Sequence, residues 1–295
     1  MKLTMGEREF QLGGDYFSEL TDSTSDKDNM PLLRQRVQDD GYILLRGLHN
    51  RDKVKGARRA VLENLEKAEQ LEPNTPPMDG VTAPGKRGKF WGGSKTVTHD
   101  QRFLDLVEAP ELMGFFARFL DGPSLTYDFK WLRVVSKGNF SGAHYDIVYM
   151  GRGTTNVFTL WTPLGDTSFE MGPLTILAGS HQFDRIKATY GQMDVDRDKV
   201  TGWFSDDPVE LVDTYGGQWK TAEFEMGDVL IFGMYTMHGS LTNTTNRFRI
   251  SCDTRYQRAD EPVDERWVGE NPIAHYAWMK GETVPMEKAR QEWGI

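Results

Sequence analysis

"RFRISCDTRYQ" (residues 247–257) alternates strictly: Arg247, Arg249, Ser251, Asp253 and Arg255 share one parity, Phe248, Ile250, Cys252 and Thr254 the other. Successive side chains of a β-strand point to opposite faces, so the segment predicts a strand with one charged and one apolar face. The apolar face packs against helices or a second sheet. The charged face looks into water or into a polar cavity. A cation turned inward then needs an anionic partner, because a buried unpaired charge is prohibitive.

Neighbouring segments extend this pattern. "SLTYDFKWLRVVS" (124–136), "HYDIVYM" (144–150), "NVFTLWTPLG" (156–165), "GPLTILAGSH" (172–181) and "AEFEMGDVLIFG" (222–233) succeed one another between Gly, Asn, Asp and Ser turns. Short strands at such spacing make a closed or two-layered β unit. "GDVLIFGMYTMHGS" (227–240) reads as one apolar strand closed by His238. Upstream, residues 31–48 predict a helix ending near Gly41, then a short strand of Ile43, Leu44 and Leu45. Residues 51–71 predict an amphipathic surface helix, and 101–122 two short helices parted near Pro110. The first 13 residues predict a strand pair with "LGG" as its turn. Residues 72–93 form a long Pro- and Gly-rich loop of the kind that covers a site. Residues 182–220 lack periodicity and predict an insertion over one mouth of the core.

The expected architecture is a single domain over 1–295, mainly β with flanking helices around a jelly-roll-like core. Helical and edge-strand elements occupy 1–122, the core about 123–258, and a C-terminal extension 259–295.

Composition narrows the function classes. The chain has 295 residues, 38% hydrophobic and 27% charged, as in globular proteins generally. A net charge of −9 counts against nucleic acid or an anionic membrane as partner. No apolar run reaches the ~18 residues of a transmembrane helix, and "MKLTMGEREF" carries charges where a signal peptide needs its apolar core. Cys252 is the one cysteine, so no intrachain disulfide forms and a reducing cytoplasm is the expected location. Oligomeric state is not legible.

In "SGAHYDIVYM" (141–150), Tyr145, Ile147, Val148 and Tyr149 favour a strand, which would project His144 and Asp146 from one face about a pleat apart. With the distant His238 they supply two imidazoles and a carboxylate, the facial set of non-haem Fe(II) oxygenases. Three protein ligands leave three sites open, two for a chelating 2-oxo acid and one for O2. The far carboxylate of such an acid needs an arginine fork. Arg249 is placed for it, with Ser240 and Ser251 as hydroxyl donors. The remaining histidines read as bland: His49 and His275 as surface residues, His99 as a helix cap, His181 as a structural hydrogen-bonding group. Arg247 and Arg255 read as solvated or structural, and Arg152 as a loop surface charge.

These residues resemble the phytanoyl-CoA dioxygenase family of Fe(II)/2-oxoglutarate oxygenases. The H-x-D pair falls on His144 and Asp146, the distal "HGS" on His238 to Ser240, and the family arginine eleven residues later on Arg249. "MGPLTILAGSH" (171–181) is similar to the family's "NGPL…PGSH", with Met171 for Asn and Ala178 for Pro. "DGYILLRGL" (40–48) resembles its first strand, so the likeness spans about 32–256. It implies a double-stranded β-helix (jelly-roll, cupin-like) core, and Fe(II), 2-oxoglutarate and O2 as reactants. It also implies that Trp161 lies beside 2-oxoglutarate, and it nominates Trp131 and Lys130 as upstream donors. Asp146 excludes the halogenating members, which carry a small residue there. The expected activity is hydroxylation of a small-molecule C–H, with succinate and CO2 released. The rival is a metal-binding β-barrel that senses a ligand without turnover. The acidic net charge gives no support to an acyl-CoA site, though Lys86, Arg87 and Lys89 could form a local basic patch.

Overall fold

The computed structural model describes residues 1–88, 90–92, 97–276 and 281–295, so Lys89 of the expected basic patch lies outside the described residues. In chain order the elements are β1 (Lys2–Met5), β2 (Arg8–Gln11), β3 (Phe17–Glu19), α1 (Met30–Asp40), β4 (Tyr42–Leu45) and α2 (Arg51–Lys67). Then come β5 (Phe90–Gly92), α3 (Gln101–Val107), α4 (Pro110–Leu120), β6 (Ser124–Thr126), β7 (Trp131–Val135), α5 (Ile147–Met150) and β8 (Phe158–Pro163). The rest are β9 (Leu174–Ala178), α6 (Asp184–Ala188), α7 (Val195–Asp198), α8 (Pro208–Tyr215), β10 (Gln218–Thr221), β11 (Val229–Gly233), β12 (His238–Ser240), β13 (Arg249–Arg258) and α9 (Met286–Trp293).

Two sheets face one another. The larger has seven strands in the order β4-β11-β8-β13-β7-β5, with β6 pairing β13, and every pairing is antiparallel. The smaller runs β12-β9-β10-β3, antiparallel except for the β10–β3 pair. β4 explains how one short segment serves two layers. Ile43 and Leu45 join the helix-facing cluster with Phe116 and Leu160, while Leu44 joins the inter-sheet cluster with Trp161, Ile176 and Phe232.

The alternation on β13 holds. Phe248, Ile250 and Cys252 pack with Val54, Ala57, Val61 and Leu65 of α2 on the outer face. Asn50 starts that helix by accepting from the Asp52 and Lys53 N–H groups. α1 ends at Gly41 with φ 87°, a left-handed cap that glycine adopts without strain, so the chain drops directly into β4. α3 and α4 part at Pro110, as expected.

The structure corrects three expectations. The N-terminal hairpin turns at Gly6–Glu7, not at "LGG", because Gly6 takes the left-handed φ of 61° and fixes the Met5–Arg8 register. "GDVLIFGMYTMHGS" is not one strand. β11 ends at Gly233, where Thr236 N–H bonds back to Gly233 O, and the chain crosses to the small sheet before His238. Third, "HYDIVYM" is not a strand beyond His144: residues 147–150 form the helical turn α5. Ile147 N–H is taken by Met234 O, and Ile147, Val148 and Met150 are buried in the large cluster beneath the insertion. Tertiary packing overrides β-propensity there.

The 182–220 insertion consists of short helices leading into β10. With α9 and Tyr149 it lines an open cleft of about 990 Å³. The N-terminal hairpin packs between β12 and the insertion: Thr242 N–H donates to Thr4 O, Met5 lies against Gly239, and Arg8 pairs with Asp207.

Candidate metal centre

His144 and His238 meet across an isolated antiparallel bridge, His144 N–H donating to His238 O (3.0 Å) and His238 N–H to His144 O (3.1 Å). Their ring centroids are 4.1 Å apart. Each imidazole is oriented by its own strand. His144 Nδ1 lies 2.8 Å from Gly142 O and His238 Nδ1 lies 3.0 Å from Thr236 O. A carbonyl only accepts, so Nδ1 carries the proton and Nε2 keeps its lone pair, the arrangement typical of metal-ligating histidines. Burial, then the neighbouring imidazole, holds the His144 pKa well below the ordinary value, and burial lowers that of His238. Both rings are neutral bases at physiological pH.

Asp146 completes the set. The turn into α5 brings its Oδ1 to 3.8 Å from His238 Nε2, and one donor atom from each of the three residues lies within 4.8 Å of the others. Arg255 Nη2 donates to both carboxylate oxygens at 3.0 Å, and the Thr159 hydroxyl donates to Oδ2. Burial alone would raise the Asp146 pKa, but the Arg255 guanidinium, with the Thr159 hydroxyl, outweighs it and keeps the group ionised. Two imidazoles and one carboxylate, converging and all buried, fit a divalent transition metal.

Arg249 is 1% exposed on the inner face of β13. Its Nη1 donates to Ser251 Oγ at 2.7 Å, whereas Nε and Nη2 are buried without an acceptor among the described residues. Burial lowers its pKa to about 10, so it remains a cation. Trp161, fully buried beside Phe224, also leaves its Nε1 without a partner. Buried donors with no protein acceptor are rare, and here they fit a carboxylate-bearing guest. Ser240 is buried too, but its Oγ accepts from Ser141 N–H at 2.9 Å, bracing the loop that leads to His144.

Other expectations fail. Lys130 points to the opposite side of β7, where its ammonium pairs with Glu108 at 3.0 Å and donates to Tyr127 O, so it is not a co-substrate donor. Trp131 does face inward, but its ring lies under the Arg255 guanidinium (4.2 Å) and against Phe129 and Trp267. Arg255 is structural in an unforeseen sense: it is 1% exposed and holds the Asp146 carboxylate. The inward parity of β13 was the signal. Arg247 is exposed, as expected. His49 is not a surface residue. Its Nε2 lies 3.0 Å from Thr162 Oγ1 in the core, and burial lowers its pKa to about 4. His275 is half-buried against Asp196 and the Tyr149 ring, and Arg152 pairs with Asp194 at 2.7 Å. His181 does make its structural contact, to Gln38 O. The inward parity of β13 also pointed to Asp253, whereas the sequence gives no sign of Thr159 or Arg133.

Comparison with known proteins agrees with this geometry. The family model described as phytanoyl-CoA dioxygenase matches residues 37–251. A 1-deoxypentalenic acid 11-beta-hydroxylase from Streptomyces exfoliatus is 27% identical over 257 residues, covering 83% of this chain and 87% of its own. Two solved structures share the fold. The epimerase SnoN, in complex with Fe3+, alpha ketoglutarate and nogalamycin RO, has a TM-score of 0.56 at 16% identity, covering 88% of this chain and 99% of its own. EctD from S. alaskensis, with 2-oxoglutarate and 5-hydroxyectoine, has a TM-score of 0.54 at 20% identity, covering 91% and 92%.

Proposed function

The chain belongs to the phytanoyl-CoA dioxygenase family of Fe(II)- and 2-oxoglutarate-dependent oxygenases, and from that premise we propose that it hydroxylates a small molecule at iron held by His144, Asp146 and His238. One observation carries the assignment: three buried donor atoms within 4.8 Å of one another, with both imidazoles locked in the ligating tautomer. Iron, when bound, supplies the electrons that activate O2 while 2-oxoglutarate is oxidised to succinate and CO2.

The protein's part is to bind, orient and exclude water. Arg249, steadied by Ser251, holds the far carboxylate of 2-oxoglutarate through a planar fork. Arg255 and Thr159 keep the Asp146 carboxylate ionised and aimed. Trp161, Phe224 and Phe232 fill the space between the sheets and keep it dry. The two facing sheets are the halves of a double-stranded β-helix within one domain, and the single buried cysteine suits the cytoplasm. The curated relative, named as a hydroxylase, supports hydroxylation as the outcome and a small molecule as the substrate.

The test is succinate release under air with Fe(II) and 2-oxoglutarate across a panel of small metabolites. Anaerobically, the same mixture should give a visible charge-transfer absorption. A folded, iron-loaded protein that shows neither is a metal-binding sensor, and the enzyme assignment fails.

A further inference from the structure

A third arginine shares the inner face. Arg133 on β7 stands directly opposite Ser251 on β13, so its side chain projects beside that of Arg249. Its Nε donates to Asp253 Oδ2 at 2.6 Å. Its charge bears on Asp146, Tyr149 and Arg249, which places it within a few residues' reach of the metal centre. Arg249 and Arg255 are sealed in, but the Arg133 side chain is 27% exposed. Of these three arginines it is the one that reaches solvent.

Arg133 also lines a cavity of about 260 Å³, with Arg87, Ser136, Asn139, Ser141 and Trp203, and among the described residues no carboxylate faces it. Gly88 brings Arg87 there. A Cβ on Gly88 would lie 1.8 Å from Val134 O, so only glycine lets the loop lie on β7, where its N–H donates to Ser136 Oγ.

Charge decides what the cavity receives. Among the described residues, Arg133, Arg249 and Arg255 face Asp146 and Asp253, leaving one positive charge in excess. Fe(II) and the 2-oxoglutarate dianion cancel each other, so the loaded site keeps that excess. We infer that Arg133, with Arg87 at the rim, forms a recognition subsite for a carboxylate on the substrate, so that the substrate is a small organic acid. This rests on the oxygenase assignment, because the charge count includes iron and co-substrate.

The test uses full-length protein loaded with Ni(II) and 2-oxoglutarate, titrated calorimetrically with benzoate and with its neutral isostere benzamide. Benzoate should bind about tenfold or more tightly than benzamide, the margin of a charge-assisted contact. Arg133→Gln should erase that preference while changing 2-oxoglutarate affinity by less than about threefold. Arg133→Lys should keep part of it, and Arg87→Gln should weaken it. Equal binding of the two probes overturns the inference, as does a preference that survives Arg133→Gln. Loss of 2-oxoglutarate from Arg133→Gln as severe as that from an Arg249 variant reassigns Arg133 to the co-substrate and also overturns it. Failure of wild-type protein to bind 2-oxoglutarate is a separate result, and it removes the oxygenase assignment itself.

Discussion

Replacing Arg249 by leucine should have opposite signs in two assays. In the proposed clamp, with metal and 2-oxoglutarate present, the side chain pairs its Nε and Nη2, both otherwise without acceptors among the described residues, with the far carboxylate. Removing one partner of a buried ion pair costs about 3–5 kcal/mol, a rise in Kd of roughly two to three and a half orders of magnitude. Arg249→Lys should recover part of that, keeping a point charge but losing the fork. Ser251→Ala removes one steadying contact and should weaken binding about fivefold. Arg247 is exposed and precedes the strand, so Arg247→Ala should change little. In metal-free protein the account reverses. There Arg249 is a buried cation with a single hydroxyl contact, and exchanging such a group for an apolar one is often neutral or stabilising. The urea midpoint of metal-free Arg249→Leu should therefore stay level or rise. Calorimetric titration of 2-oxoglutarate into the Ni(II) protein, paired with urea denaturation, reads both signs. Binding within tenfold of wild type, or a greater loss from Arg247→Ala, would refute the assignment of the clamp and of the strand register.

His144→Ala and His238→Ala should each strip iron from the purified protein, while His181→Ala retains it; elemental analysis decides, and metal loss from His181→Ala would move the distal ligand. Arg255→Leu leaves the Asp146 carboxylate buried without its cation and should lower metal-free stability by about 3–5 kcal/mol, so a fall below about 1 kcal/mol by urea denaturation would contradict the pairing. His49 gives a pH dependence. Its native pKa of about 4 lies below the ordinary 6.5, so between those values the unfolded chain binds a proton that the native protein refuses. Stability should accordingly fall as pH drops from 6.5 toward 4, by about 3 kcal/mol at most. His49→Gln should flatten that part of the stability profile, and an unchanged slope would mean that the ring is not held neutral.

The parts of the site that were legible depend on parity and spacing along one strand or between two. Arg249 and Ser251 were readable because β13 alternates without a bulge, and the two histidines because each lies beside a recognisable motif, H-x-D for His144 and "HGS" for His238. Lys130 was misread because it immediately precedes β7, where a shift of one residue sends a side chain to the other face. The turn at Ile147 was invisible, since Ile, Val and Tyr favour strands locally and only their burial under the insertion makes them helical. Arg255 was undervalued for a related reason. Sequence places it inward but cannot show that Asp146, 109 residues earlier, arrives beneath it.

The N-terminal hairpin against β12 sets a timetable for synthesis. Met5 touches Gly239, and Thr4 O takes the Thr242 N–H, so residues made early wait for partners made more than 230 positions later. At about 5–20 residues per second, that delay is roughly 10–50 s. During it the small-sheet face of the hairpin is uncovered and His144 has no second imidazole beside it. Iron uptake is therefore a late, post-assembly event. A nascent chain stalled before residue 238 leaves that β surface uncovered and lacks the second imidazole beside His144.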